Sequence, residues 1–220
     1  MLLLFLFRSF FIFFTEKVFL MYDVVIIGAG VVGCAVAREL SRWQLKVAVC
    51  ERKSDVADAA SKANSAIVHS GHSTDPGSLM AKFNLEGNLL FEKLCEELQV
   101  PFVKNGSLNI AFDEDDAAKL EQLLKDGIAN GVPDMEIIGQ EKLREMEPQL
   151  SKEIIAALYA PSCAMTSPYE LTAALAENAA INNIEFFLNC EVLQVEKRDD
   201  NWAIFCSDRL LKSKIVLNAA

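Results

Sequence analysis

Apolar and polar positions along this chain change period several times, and each change marks a predicted element. Residues 24–27 (Val-Val-Ile-Ile) form an unbroken apolar run, as expected of a parallel strand buried on both faces. A glycine-rich turn, a helix-like segment and a second apolar strand over 46–50 follow. Residues 78–99 place Leu79, Phe83, Leu89, Leu90, Leu94 and Leu98 at helical spacing, with Ser78 near the start. Gly87 inside that helix costs about 1 kcal/mol relative to alanine, which suggests close packing or a break. Pro101 ends the element, and residues 108–112 read as a short strand. Residues 113–130 are a predicted helix with Leu120, Leu123, Leu124 and Ile128 on one face and acids in the first turn, where the helix dipole favours them. A short strand over 136–138 and a short helix over 140–146, ended before Pro148, come next.

Residues 154–159 read as a strand, and Ser167-Pro168 opens a helix with Leu171, Leu175, Ala179 and Ala180 on its apolar side. Strand-like runs follow at 185–188, 191–197, 202–206 and 214–217, with Asp199-Asp200-Asn201 as a hairpin loop. The sequence stops directly after the last of these. That strand is therefore expected to leave a buried-type sheet edge exposed and prone to aggregation.

Residues 1–20 have a different character. Positions 2–14 are almost wholly apolar around Arg8, too short to span a bilayer comfortably, and they lack a basic lead-in or a small-residue cleavage site. Two readings stand: translation starts at Met21, or the stretch is a peripheral membrane anchor. Either way residues 1–20 are expected outside the fold.

Composition narrows the class. The chain has 220 residues, 52% hydrophobic and 24% charged, as in an ordinary globular protein. Its formal charge of −10 and lack of a basic stripe argue against nucleic acid as a partner. Cys34, Cys50, Cys95, Cys163, Cys190 and Cys206 show no paired spacing, so they read as buried free thiols in a reducing compartment such as the cytoplasm. Two histidines without an acid spaced to join them give no expectation of a metal site.

Chemistry concentrates between residues 22 and 53. Gly28, Gly30 and Gly33 form G-x-G-x-x-G where the first strand hands over to a helix. In that setting the first glycine permits the tight turn and the second lets backbone approach a pyrophosphate. The third lets helix pack on strand, and the helix N-terminus faces the phosphates with free N–H groups. Glu51 ends the second strand roughly 20 residues on, where a carboxylate holds a ribose hydroxyl pair. The strand, helix and acid in register make this a dinucleotide site rather than a structural turn. Residues 54–73 (SDVADAASKANSAIVHSGHS) are small and polar around the apolar trio Ala66-Ile67-Val68, suited to close approach of a ligand.

From Met21 onward the chain resembles the flavin-dependent oxidoreductases of the D-amino-acid-oxidase superfamily, within it the glycerol-3-phosphate dehydrogenase and L-2-hydroxyglutarate dehydrogenase branch. Four segments carry the resemblance: VVIIGAGVVG with Glu51, SKANSAIVHSGHSTDPGSLMAKFNLEGN, ALYAPSCAMTSPYELTAALAENA and KIVLNAA. It implies FAD as the cofactor and an α/β fold: a Rossmann-type FAD-binding domain, a parallel sheet with helices and a small β-meander, with an inserted and incomplete α+β substrate domain. The implied layout is an FAD domain from 21–100 and 160–220 around a partial substrate domain at 101–159.

By the same resemblance, Ser61, Lys62, Asn64 and Ser65 belong to the segment lining the pyrophosphate and ribityl chain. Residues 67–71 lie beside the flavin ring, and the strand holding Val192 contacts the adenine through its backbone. Members of the family continue well beyond this length, into the rest of the substrate domain.

The implied chemistry is transfer of a hydride from a C–H bond beside a hydroxyl or amine to flavin N5 while a base takes the heteroatom proton. His69 is the candidate for that catalytic role, with a core hydrogen-bonding role as its alternative; His72 reads as a loop residue. Arg52 and Lys62 suit either the cofactor's phosphate and ribose or solvent. The expected substrate is a small molecule, glycerol 3-phosphate first and a 2-hydroxy acid second, with electrons leaving to a quinone or another acceptor. A non-catalytic FAD-binding remnant is the reading from another class.

Overall fold

The computed structural model describes residues 20–220, and the expectations for residues 1–19 lie outside it. Two compact units result, one running through Asn64 and resuming at Tyr169–Ala220, the other Ser65–Pro168.

The first unit is built on a six-stranded sheet. Its strands are β1 (Leu20–Ile27), β2 (Val47–Cys50), β9 (Glu185–Phe187), β10 (Val192–Arg198), β11 (Asn201–Cys206) and β12 (Leu210–Asn218). Their order is β10-β11-β12-β1-β2-β9. The four strands from β12 to β9 run parallel, and β10, β11 and β12 form an antiparallel meander. Leu20 pairs with Leu211, so the first strand begins one residue inside the segment expected to lie outside the fold.

Val25, Ile26, Val47 and Val49 are fully buried, which explains the unbroken apolar runs. Each such side chain contributes roughly 1.5–3 kcal/mol of burial free energy. Helix α1 (Val31–Leu40) sends Gly33, Cys34 and Ala37 inward, small residues that let it lie close to the sheet.

β12 also corrects an expectation. It lies between β11 and β1, and the sheet's edges are β10 and β9. The chain's last strand therefore leaves no exposed edge, because pairing with β1 and β11 covers both of its sides.

The second unit carries two three-stranded antiparallel sheets. One holds β3 (Ile67–Val68), β8 (Ala164–Thr166) and β4 (Phe102–Val103) in the order β3-β8-β4. The other holds β5 (Ser107–Ala111), β7 (Ala156–Ala160) and β6 (Glu136–Gly139) in the order β5-β7-β6. Around them lie α2 (Leu79–Leu98), α3 (Glu114–Ala129) and α4 (Gln140–Met146), while α5 (Pro168–Ile181) leads back into the first unit. These compact units meet at 64/65 and 168/169, whereas the layout implied by the resemblance divides the chain at 100/101 and 159/160. The reason is pairing: β8 joins both Ile67–Val68 and Phe102–Val103, drawing residues 65–100 and 160–168 into this unit.

Capping explains the helix ends. Ser78 Oγ accepts from Ala81 N at 3.1 Å and Asp113 Oδ1 from Asp116 N at 2.9 Å, each satisfying a first-turn donor. On α3, Leu120 is buried with Ala111 and Leu158 beneath it, whereas Ile128 is exposed. Gly87 shows neither of the expected features. Helix α2 runs through it unbroken, and a Cβ there would meet nothing within 4 Å. The apolar stripe of α2 is also not a core face, since Leu79, Phe83, Leu89 and Leu90 are all at least 60% exposed.

Candidate functional site

The glycine turn sits between β1 and α1, at the carboxyl ends of β1, β2 and β12. Gly28 has φ +99°, a left-handed conformation that L side chains rarely adopt, and a Cβ there would lie 2.9 Å from Ala219 O and from Ala220 Cα. Ala219 N donates to Ile27 O at 2.8 Å, which brings the end of β12 against the turn. At Gly33 a Cβ would fall 2.0 Å from Gly28 O, so helix and turn touch backbone to backbone.

Gly30 differs from both. Among the described residues, only Ser61 Oγ, at 3.1 Å, lies near its missing Cβ. It is also the N-cap of α1 and supplies no side-chain cap, and the first turn carries no acid. The outer face of the turn is thus a cradle that a side chain would fill, at a helix end suited to anions.

Glu51 and the following loop hold this turn in place. Glu51 Oε2 accepts the Ala29 N–H at 2.8 Å and Oε1 the Lys53 N–H at 2.9 Å. A carboxylate has about four acceptor positions, so two backbone bonds leave capacity for ribose hydroxyls. Ala57 N donates to Ala29 O at 3.0 Å, with Ala57 itself at φ 60°. Ser61 Oγ accepts the Val31 N–H at 2.9 Å, while Asn64 Nδ2 closes the loop onto the carbonyls of Ala60 and Ser61 at 3.2 Å each.

Other residues singled out from the sequence are placed as follows. Lys62 is ion-paired with Asp58 at 2.6 Å on the surface, which raises the lysine's pKa and lowers the aspartate's. Arg52 and Ser65 are exposed. Val192 opens β10 opposite Cys206, beside a bulge, and packs on the core of the first unit. His69 follows β3 with its side chain exposed, and its carbonyl accepts from Asn88 Nδ2 at 3.1 Å. It belongs to the second unit, whereas the glycine turn, Glu51, Ser61, Lys62, Asn64 and Val192 belong to the first.

Two clusters were not legible from spacing. His72 is on a loop, as expected, but buried: Nδ1 lies 2.7 Å from Ser70 Oγ and Nε2 2.9 Å from Asn109 Oδ1. It also hydrogen-bonds Cys163, whose sulfur accepts from Ser107 Oγ at 3.1 Å. The Cys163 hydrogen bond raises His72 above its ordinary value despite burial. Burial opposes ionisation of Cys163, yet hydrogen bonds from His72, Ser107 and Ser70 bring it down to about 7. The second cluster joins Cys50, Cys190 and Cys206, all buried, with their sulfurs within 4.8 Å of one another. By sequence these three are unrelated buried thiols. The only available signal was that each ends or adjoins an apolar strand.

Comparison with known proteins agrees with the turn's geometry. The FAD dependent oxidoreductase (DAO) family matches over residues 23–220. A glycerol 3-phosphate dehydrogenase of Caloramator mitchellensis is 48% identical over 200 residues, covering 91% of this chain and 42% of that protein. A glycerol 3-phosphate oxidase of Mycoplasma pneumoniae is 33% identical over 205 residues, covering 90% and 53%. An L-2-hydroxyglutarate dehydrogenase of Caenorhabditis elegans is 38% identical over 142 residues, covering 64% and 32%. Among solved structures, the L-alpha-glycerophosphate oxidase of Mycoplasma pneumoniae with FAD bound superposes with a TM-score of 0.85 at 32% identity, covering 91% of this chain and 54% of that one. The chain therefore spans about half the length, or less, of the relatives it matches. With the match running from the first sheet strand to the last residue, the chain belongs to the FAD dependent oxidoreductase family.

Proposed function

We propose that this chain carries the FAD-binding part, and a portion of the substrate-binding part, of a flavoenzyme that oxidises glycerol 3-phosphate to dihydroxyacetone phosphate. The observation that carries the FAD reading is the open glycine turn tied to the Glu51 carboxylate. The open position at Gly30 and the spare acceptor capacity of Glu51 suit the pyrophosphate and a ribose of a dinucleotide.

In this reading the N-terminus of α1 and Ser61 face the pyrophosphate, Glu51 holds the adenosine ribose, and the β10 backbone near Val192 lies at the adenine. Lys62, on leaving its ion pair with Asp58, and Arg52 would add positive charge for the phosphates, and Asn64 and Ser65 line the approach. Bound FAD supplies the hydride acceptor. His69, exposed at the end of β3, is assigned the substrate's hydroxyl proton, because an imidazole ring nitrogen can accept one. Glycerol 3-phosphate is preferred as substrate because a relative named for it reaches 48% identity over 91% of this chain. L-2-hydroxyglutarate is the second reading, supported by relatives named for it at 38% identity over 64% of the chain and at 31% over 90%. A quinone or another redox partner is the proposed electron acceptor. A peripheral contact at the inner face of the membrane remains part of the proposal; no described helix is long and apolar enough to cross one.

The test is reconstitution of the purified chain with FAD, followed by anaerobic addition of each substrate. Uptake of one flavin per chain and bleaching by glycerol 3-phosphate alone support the reading. Bleaching by L-2-hydroxyglutarate alone reassigns the substrate, and failure to take up flavin rejects the cofactor site.

A further inference from the structure

Three cysteines far apart in sequence meet beside Glu51. Cys50 is the last residue of β2, Cys190 lies between β9 and β10, and Cys206 is the last residue of β11. Their relative exposures are 1%, 0% and 3%, and their sulfurs all lie within 4.8 Å of one another. Tyr22, Ile204 and Leu211 pack around them in the same core. Ordinary core packing needs no convergence of polarisable, ionisable sulfur, whereas a soft metal ion needs that arrangement.

We propose that Cys50, Cys190 and Cys206 form a thiolate site for zinc, with the Asp208 carboxylate as the fourth ligand. Zn–S bonds of about 2.3 Å ask for sulfurs about 3.8 Å apart in a tetrahedron, so the three thiols close on a common centre with shifts of about 1 Å or less. Asp208 lies outside the set of mutually close sulfurs and would swing in as the fourth ligand: it is two residues past Cys206, on a turn that Ser207 N holds to Glu191 O at 2.8 Å, next to Cys190. The compensating charge is present as well: Arg209 pairs with Asp208 at 2.7 Å, interacts electrostatically with Cys190 and Cys206, and lies 4.1 Å from the Phe187 ring centroid. A cation that orients a ligating carboxylate and offsets the thiolates is the expected outer-shell arrangement.

Zinc here would cross-link the ends of β2 and β11 to the β9–β10 connection at the point where the cofactor acid emerges. Cys190 N donates to Glu51 O at 2.8 Å and Glu51 N to Phe187 O at 2.9 Å, so the metal would brace the backbone on both sides of Glu51. The site itself does not depend on flavin being bound.

The experiment uses the whole chain, reduced, stripped with chelator under nitrogen, and titrated with zinc chloride against a chromophoric competitor. Expected are one zinc per chain and release of about three protons per metal, because each thiol must ionise to bind. Cobalt(II) added instead is expected to give sulfur-to-cobalt charge-transfer absorption in the near ultraviolet. Cys206→Ser is expected to weaken zinc binding by at least about 100-fold, while Cys95→Ser, a buried thiol outside the cluster, leaves it unchanged. No zinc uptake by the wild type, or equal uptake by Cys206→Ser, overturns the proposal. If the serine variant does not fold, the cobalt spectrum of the wild type decides, and absence of the charge-transfer band rejects the site.

Discussion

The Glu51 carboxylate accepts the Ala29 N–H at 2.8 Å, so the acid that ends β2 is bonded to the turn that ends β1. Such a bond orients the acid before any ligand arrives, which limits the ordering cost of binding. Replacing Glu51 with alanine removes both the turn contact and the proposed ribose acceptor. Since hydrogen bonds to charged groups are worth about 1.5–3 kcal/mol, FAD affinity is expected to fall about 10- to 100-fold. Glu51→Gln, which keeps one acceptor oxygen, should fall in between. A flavin fluorescence titration of the three proteins measures this, and equal affinities would remove Glu51 from the site.

The three glycines should separate folding from binding. Gly28→Ala places a Cβ 2.9 Å from the backbone of residues 219 and 220 at φ +99°, and Gly33→Ala one at 2.0 Å from Gly28 O. Both are expected to destabilise the chain, by at least about 1–3 kcal/mol given the strain. Gly30→Ala meets only the Ser61 hydroxyl at 3.1 Å, so its folded stability should stay within about 1 kcal/mol of wild type. It should nevertheless bind FAD poorly, because its methyl group occupies the proposed pyrophosphate position. Urea unfolding alongside flavin titration reads out both quantities; a Gly30→Ala protein with normal affinity contradicts the assigned pyrophosphate position.

Sequence reading reached furthest where local chemistry decides structure. Ser78 and Asp113 are N-caps of α2 and α3, and the 140–146 helix has the expected limits, because capping and proline effects act within a few residues. The glycine turn and Glu51 were legible for the same reason. What escaped depends on long-range pairing. β3 and β4 have two residues each and are defined only by their shared partner β8, so no periodicity could announce them. β12 looked like a free edge until its pairing with both β1 and β11 was seen. The thiol trio brings Cys50 to Cys190 and Cys206, and the other network brings Ser70 and His72 to Cys163, each across a long stretch of chain. Spacing carries no trace of either.

Gly87 offers a gain in stability. It lies inside α2 with space for a methyl group, and in a helix interior glycine costs roughly 0.5–1 kcal/mol relative to alanine. Gly87→Ala is expected to stabilise the second unit by about that amount, read as a higher urea midpoint. A destabilised variant would mean that this position is covered in solution.

The exposed stripe on the same helix calls for a different measurement. Leu79, Phe83 and Leu90 are 72%, 60% and 65% exposed at helical spacing. Isolated exposed apolar residues are ordinary, but a contiguous face favours association. Phe83→Asp with Leu90→Asp should change unfolding free energy by no more than about 0.5 kcal/mol per site. Self-association, followed by light scattering across a concentration series, should decrease. A large loss of stability would show that the face is buried in the folded chain.

His72 and Cys163 should give the chain a pH-dependent core. The thiol is brought from an ordinary value of 9.0 to about 7, with the His72 hydrogen bond the largest lowering cause. A depressed acid contributes stability that is fully present above the unfolded value, near pH 9, and is lost as pH falls through about 7. His72 works in the opposite sense. Its raised pKa contributes below its ordinary 6.5 and loses that contribution as pH climbs through the folded value. His72→Gln removes the imidazole's own titration and its part of the Cys163 shift, leaving those of Ser70 and Ser107, while keeping a hydrogen-bonding side chain at the position. The two contributions oppose each other between pH 7 and pH 9, so the Cys163 titration is the measurement that separates them: the thiolate, followed by its ultraviolet absorbance, should titrate higher in the variant than in the wild type. A Cys163 titration unaltered by His72→Gln would show that Ser70 and Ser107, not the imidazole, hold the thiolate.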